Sequence, residues 1–188
     1  MAKKTPELLT DTEVLNILRI AKAKNFYYYL IFRLLVKTGR RIGEIVSIRK
    51  MDIDFENKLI FLPVEKRRKK IIKAVFIDDR TLELIREWIK MNNFADNDYI
   101  FRHRSIRQLE RVVQKYAKIA GITKYVCLHS FRHYFITWCR LKERMSYEEI
   151  RKITGHADVK TLSIYDRTEI FDIEEKAKRV VEKIGEEI

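Results

Sequence analysis

The residues with the strongest chemical potential lie in four short stretches. "TGRRIGEI" holds Arg41 and Glu44, and "EKRRKK" holds Lys66, Arg67, Arg68, Lys69 and Lys70. "LHSFRHYF" holds His129 and Arg132, three apart and so on one face of a helix. "TGHADVKTLSIY" holds His156 and, nine residues later, Tyr165. Each alone has an ordinary structural explanation: a helix-capping arginine, a solvated basic turn, a surface His–Arg pair, a tyrosine on a core edge. Together they form a set of arginines, a lysine, histidines and a tyrosine without an acidic cluster to hold a metal. That set suits metal-free transfer of a phosphodiester. A tyrosine supplies the nucleophile, arginines neutralise the non-bridging oxygens, and proton donors and acceptors serve the attacking and leaving oxygens.

These groups need a scaffold, and the pattern predicts a mostly helical one. Thr10 and Glu13 form a capping box, with Leu9 and Val14 as the flanking staple, and the helix they open buries Val14, Leu15, Leu18 and Ala21. Residues Phe26 to Lys37, "FYYYLIFRLLVK", are apolar nearly all round, as in a central buried helix, and Gly39 ends it. Arg41 to Ser47 reads as a short helix. Leu59–Val64 and Ile71–Ile77 read as a hairpin around the basic turn, with Pro63 at an edge or bulge. Helices follow over Asp79 to Met91, from a cap at Ser105 and Gln108 to near Gly121, over His129 to Leu141, and through "SYEEIRKI" to Gly155. Another helix carries Val159, Leu162 and Tyr165, and residues 172–188 form a charged amphipathic helix. The fold class is mainly α with a small antiparallel β-hairpin, in one domain over residues 1–188.

Composition narrows the partner. The chain has 188 residues, 46% of them hydrophobic, enough for one good core. Forty Lys and Arg against 27 Asp and Glu leave a formal charge of +13, which points to a polyanion. No apolar run is long enough to span a membrane, and the N-terminal stretch "MAKKTPELLTDTEV" lacks the apolar core of a secretory signal. Cys127 and Cys139 have no metal-ligand spacing, and a reducing cytoplasm fits them.

The three boxes in this order resemble the tyrosine recombinases, the family of phage integrases and Xer proteins, over roughly Leu9 to Arg167. "TGRRIGEI" is similar to the family's first arginine box, "LHSFRHYF" to its His-x-x-Arg box, and "TGHADVKTLSIY" to the end of its signature. The resemblance implies the catalytic-domain fold of that family and a site-specific recombinase or integrase activity on double-stranded DNA, without cofactor, metal or ATP. Tyr165 would attack a phosphodiester to leave a 3′-phosphotyrosyl link. Arg41 and Arg132 would hold the non-bridging oxygens, a hairpin lysine would protonate the leaving oxygen, His129 would assist proton transfer, and His156 would hydrogen-bond the phosphate. Glu44 would orient a catalytic cation, and Arg67, Arg68 and Lys70 would meet DNA. Self-assembly on DNA, as a tetrameric synapse in the full system, is also implied.

Two departures accompany the resemblance. The basic turn is longer than usual, so the lysine is Lys69 or, in another register, Lys66. The helical N-terminal domain with which relatives clamp DNA is absent from these 188 residues. Two alternatives accompany this reading: DNA relaxation of the type IB topoisomerase kind, which uses similar residues, and DNA binding by a regulator derived from the fold that keeps the basic surface and has lost the chemistry. Residues 172–188 carry six acids and four bases, so they belong away from DNA, packed on their own domain or on a neighbouring protomer.

Overall fold

The computed structural model describes residues 8–66, 69–101, 105–155 and 177–184. The described residues form α1 (Asp11–Lys24), α2 (Phe26–Thr38), α3 (Ile42–Val46), β1 (Ile53–Asp54), β2 (Leu59–Lys66), β3 (Lys69–Phe76), α4 (Asp79–Asn92), α5 (Ile106–Ile119), α6 (Leu128–Leu141) and α7 (Tyr147–Thr154). Residues 177–184 are helical as well and are labelled α8. The mainly α class with one small antiparallel sheet is what the sequence pattern predicts.

The axis of the molecule is α2. Leu30, Ile31, Phe32, Leu34, Leu35 and Val36 are all essentially inaccessible, which explains why the helix is apolar on every face. Phe32 sits against Phe131 of α6 and Tyr116 of α5, with ring centroids 5.5 and 6.2 Å apart. At the start of α1 the Thr10 hydroxyl accepts from the Glu13 N–H, and the Glu13 carboxylate accepts from the Thr10 N–H. The inward face of α1 is Val14, Ile17, Leu18 and Ala21. Leu15, expected there, is only half-buried, because the stripe follows i, i+3, i+4 and i+7 from Val14 and so passes through Ile17.

The sheet corrects the expectation at two points. It has three strands in the order β1-β2-β3, the short β1 pairing Ile53 with Ile60 and Asp54 with Leu59. Its β2 and β3 run further than expected, through the basic segment, so that Lys66 pairs with Lys69 and Glu65 with Lys70. The backbones of Lys66, Lys69 and Lys70 therefore belong to strands and not to a turn, and Arg67 and Arg68 lie outside the described residues. Ladder hydrogen bonds are made by the backbone, and a charged side chain does not prevent them. Pro63 pairs with Ile72 in β3, and β1 ends before reaching it, so its missing N–H costs β2 no ladder bond on that side.

Among the described residues α8 lies on its own domain. Ala177, Val180, Val181 and Ile184 are buried, and the Lys37 amine donates to the Val181 carbonyl at 2.9 Å. Lys183 pairs with Glu143 at 2.7 Å, and the Lys178 amine stands 4.7 Å from the Phe76 ring centroid. Ile173 lies outside the described residues. No helix among the described residues is long and apolar enough to cross a membrane.

Candidate active site

Four element ends meet at one place. Gly39 terminates α2 in the left-handed region at φ 59°, and a Cβ there would stand 2.4 Å from Phe135 of α6. No L side chain fits that position, and the turn it permits sends Arg40 inward and Arg41 out to the start of α3. At the far end of the chain Gly155 terminates α7 at φ 70°. α6 runs beneath both ends, its own start fixed by two bonds. The Leu128 N–H donates to Glu110 at 3.0 Å, and the Cys127 N–H donates to the Ser130 hydroxyl at 3.1 Å.

Arg132, on α6, ties these ends together. It is 1% exposed, and its Nη1 donates to the Gly39 carbonyl at 2.7 Å and to the Thr154 carbonyl at 2.9 Å. Those are carbonyls at the negative ends of α2 and α7, natural seats for a buried cation. Burial and then Arg41 push its guanidinium down to about 10, with Glu44 opposing and Arg40 adding to the fall. At physiological pH it remains charged.

Arg41 occupies the mouth of this junction with 43% of its side chain exposed. Its Nη1 reaches the Glu44 Oε1 and the Gly155 carbonyl, both at 3.4 Å, the long limit of a hydrogen bond. The Glu44 Oε2 accepts from the Arg41 N–H at 3.3 Å. Glu44 thus holds Arg41 by backbone and side chain together. His129 lies at the surface one turn before Arg132, its ring edge-on to His133 with centroids 4.8 Å apart. Partial desolvation, then His133, Arg132 and Arg41, hold its imidazole below the ordinary value of 6.5. At neutral pH it is therefore a neutral ring that can accept a proton.

Arg41, Arg132, His129 and Glu44, which span 92 residues of sequence from Arg41 to Arg132 plus the α7 end, are brought together. His156 and Tyr165 lie outside the described residues, and so do the side chains of Lys66, Lys69 and Lys70. His156 follows directly on Gly155, whose carbonyl Arg41 touches. The sequence reading missed three participants. Arg40 is wholly buried, and its Nη1 stands 3.8 Å from Glu44. His133 faces His129. Lys73 of β3 donates to the Lys152 carbonyl of α7 at 3.2 Å and so ties the sheet to the helix that ends at Gly155. The doubled arginine in "TGRRIGEI" was the one available signal for Arg40.

Chemically the junction is an anion site: two guanidinium groups positioned by helix-end carbonyls and a carboxylate, beside a neutral imidazole. Such a site fits a phosphate whose oxygens gain charge in the transition state.

The model of the phage integrase family matches residues 7–170. The tyrosine recombinase XerA of Saccharolobus solfataricus is 33% identical over 162 residues, covering 86% of this chain and 51% of that protein. A crystal structure of XerA recombinase superposes with a TM-score of 0.69 at 22% identity, over 94% of this chain and 65% of that one. XerH site-specific recombinase bound to its difH substrate in a pre-cleavage complex gives 0.70 at 20% identity, over 95% and 51%. The chain thus spans about half to two-thirds of the length of these relatives. By the family match and the XerA identity, the chain belongs to the phage integrase family of tyrosine recombinases.

Proposed function

We propose that this chain is the catalytic domain of a site-specific recombinase, cutting and rejoining double-stranded DNA through a 3′-phosphotyrosyl bond at Tyr165. The observation that carries the reading is the convergence of Arg41, Arg132 and His129 at the ends of α2, α6 and α7, with His156 and Tyr165 next in the chain. In the forward step the Tyr165 oxygen attacks phosphorus and its proton passes to His129. Arg41 and Arg132 hold the non-bridging oxygens, and His156 adds a hydrogen bond. The bond to the 5′-oxygen breaks, and that oxygen takes a proton from a hairpin lysine. Rejoining reverses these steps. The phosphotyrosyl link conserves the energy of the bond it replaces, so neither ATP nor a metal is required. Each protomer carries one Tyr165, and exchange between two duplexes cuts four strands, which calls for four protomers in the synapse.

The test is a duplex nicked close to the cleavage point, from which a short fragment diffuses away and leaves the covalent complex trapped. The expected result is a DNA–protein adduct stable to SDS, formed with EDTA present and no nucleotide added. An intact complex in native gels with no adduct under any condition would instead identify a DNA-binding regulator.

Affinity should depend steeply on salt. With a formal charge of +13, several Lys and Arg neutralise phosphates, and each released counterion contributes about −0.9 to the slope of log K against log salt. Titration at several salt concentrations should give a slope steeper than about −3. A shallower one contradicts the role assigned to the basic surface.

The cleavage rate should also report His129. Because its folded pKa is depressed, the neutral form is lost only as pH falls through a value below 6.5. A pH–rate profile of single-turnover cleavage should therefore be level near neutrality, with an acid limb whose midpoint lies under 6.5, and His129→Gln should remove that limb. A midpoint above that value contradicts the assignment.

The hairpin lysine can be identified by changing the leaving atom. A 5′-bridging oxygen needs a proton to leave, and a donor contributes about 10²–10⁴-fold. A bridging sulfur leaves without one. Lys69→Ala should be slow on the oxygen substrate and largely restored on sulfur. If Lys66→Ala is rescued instead, the other member of this cross-strand pair is the donor. If neither is, Lys70 is the next to test.

A further inference from the structure

Arg40 has no part in the chemistry above, yet it is among the most buried side chains in the molecule, at 1% exposure. Arginine is almost never buried this far unless it is paired. Among the described residues its Nε and Nη1 have no hydrogen-bond partner. Among the described residues its counter-charge is the Glu44 Oε2, 3.8 Å from Nη1, too far for a hydrogen bond. The guanidinium is pressed against the end of α7, so that a Cβ on Gly155 would come within 2.8 Å of Nη1. Burial depresses its pKa, Glu44 opposes that, and Arg41 adds to it. Donors left bare in a packed interior oppose folding. A group kept at such a cost beside an active site is a candidate for function.

The charges around Glu44 suggest what Arg40 does. Glu44 is 11% exposed and fixes Arg41 through both of its oxygens. A carboxylate that orients a guanidinium also cancels its charge, and a neutral Arg41–Glu44 pair would attract a phosphate poorly. With Arg40 at the second oxygen of Glu44 and Arg132 nearby, three guanidinium groups among the described residues face one carboxylate, and that cluster stays positive by two. We propose that Arg40 is a positioning residue: it offsets the charge of Glu44 from within the core, so that Arg41 is held in place and still presents a positive field to the scissile phosphate. This rests on the phosphodiester reading of the site.

The test compares Arg40→Met, which keeps length and apolar volume, with Glu44→Gln and the two combined. The readouts are single-turnover cleavage of the nicked duplex at saturating protein, DNA affinity and thermal unfolding. Removing a buried, poorly paired cation should raise Tm by roughly 2–10 °C. Cleavage should slow by about 10–100-fold, the usual effect of losing a group that supports a ligand from behind, while DNA affinity is unchanged. In the double variant most of that rate should return, because no carboxylate charge remains to be offset, and a double-mutant cycle should show this coupling. Loss of a purely structural side chain would lower Tm and rate together and gain nothing from Glu44→Gln. The proposal is overturned if Arg40→Met cleaves like wild type, if it loses stability or fails to fold, or if the double variant is no faster than the single. The failure of the underlying reading looks different: the unsubstituted chain then forms no adduct at all.

Discussion

Tyr165→Phe is expected to abolish covalent adduct formation, lowering single-turnover cleavage at least about 10⁴-fold, the scale of deleting a nucleophile. Fold and DNA affinity should be unchanged, because only one oxygen is removed. Five of the other eight tyrosines make weak competitors. Tyr28, Tyr29, Tyr116 and Tyr134 are at most 7% exposed, and a buried phenol cannot reach a duplex. Tyr134 further donates its hydroxyl to Asp11, and burial followed by Tyr28 raises the Tyr116 phenol, which weakens it as a nucleophile. Tyr27 lies in an aromatic cluster with Trp88 and Phe101 at the start of α2, about 18 Å of helix from the Gly39 end. Peptide mapping of the trapped adduct checks the assignment directly. DNA attached at any other tyrosine, or an adduct with Tyr165→Phe, would refute it.

Much of the framework was legible because its signals are local. The capping boxes at Thr10–Glu13 and Ser146–Glu149 form as their spacing requires, and both glycine terminators adopt the left-handed conformation. The all-round apolar character of Phe26 to Lys37 identified the central helix, although it concealed what Arg33 and Lys37 do there. The strand ends were misplaced because periodicity follows side chains, whereas β2 and β3 are closed by backbone bonds that continue through Glu65 and Lys66. The two-residue β1 is too short to show any alternation.

At the candidate site, motif order gave Arg41, His129 and Arg132, which the fold brings together. It could not give Arg40. That residue follows a left-handed glycine, so the period of α2 no longer predicts its direction, and an arginine read from sequence belongs on the surface. Its guanidinium packs against Gly155, 115 positions later in the chain. The same is true of the carbonyls that seat Arg132: any residue type supplies a carbonyl, and only the fold selects those of Gly39 and Thr154.

The largest effect on stability should come from Asp78, a residue with no motif. It precedes α4 and receives four groups: the Arg33 Nη2 at 3.2 Å, the Lys37 amine at 3.2 Å, the Thr81 N–H at 3.1 Å and the Thr81 hydroxyl at 2.6 Å. Arg33 and Lys37, one turn apart on α2, are 3% and 0% exposed. Burial alone would raise the Asp78 carboxyl, but Lys37, the Thr81 hydroxyl and Arg33 hold it below 3.8. Burial pushes Lys37 down to about 8 against the pull of Asp78. Asp78→Ala leaves two buried cations without a counter-ion and should cost about 3–5 kcal/mol, a fall in Tm of roughly 6–20 °C. Asp78→Asn keeps an acceptor for the Thr81 N–H and should recover only the capping share, about 1 kcal/mol. The pH dependence gives an independent check. An unfolded lysine titrates near 10.5 and Lys37 near 8, so between these values the unfolded chain binds more protons and stability rises with pH. Without Asp78 the folded pKa drops further, the window opens at a lower pH, and the deficit of Asp78→Ala should narrow as the solution is made alkaline. Because the Lys37 amine also holds the Val181 carbonyl, α8 should loosen first, seen as early loss of amide protection over residues 177–184. An Asp78→Asn variant as stable as wild type would show that the cap alone matters and that the buried charges need no partner.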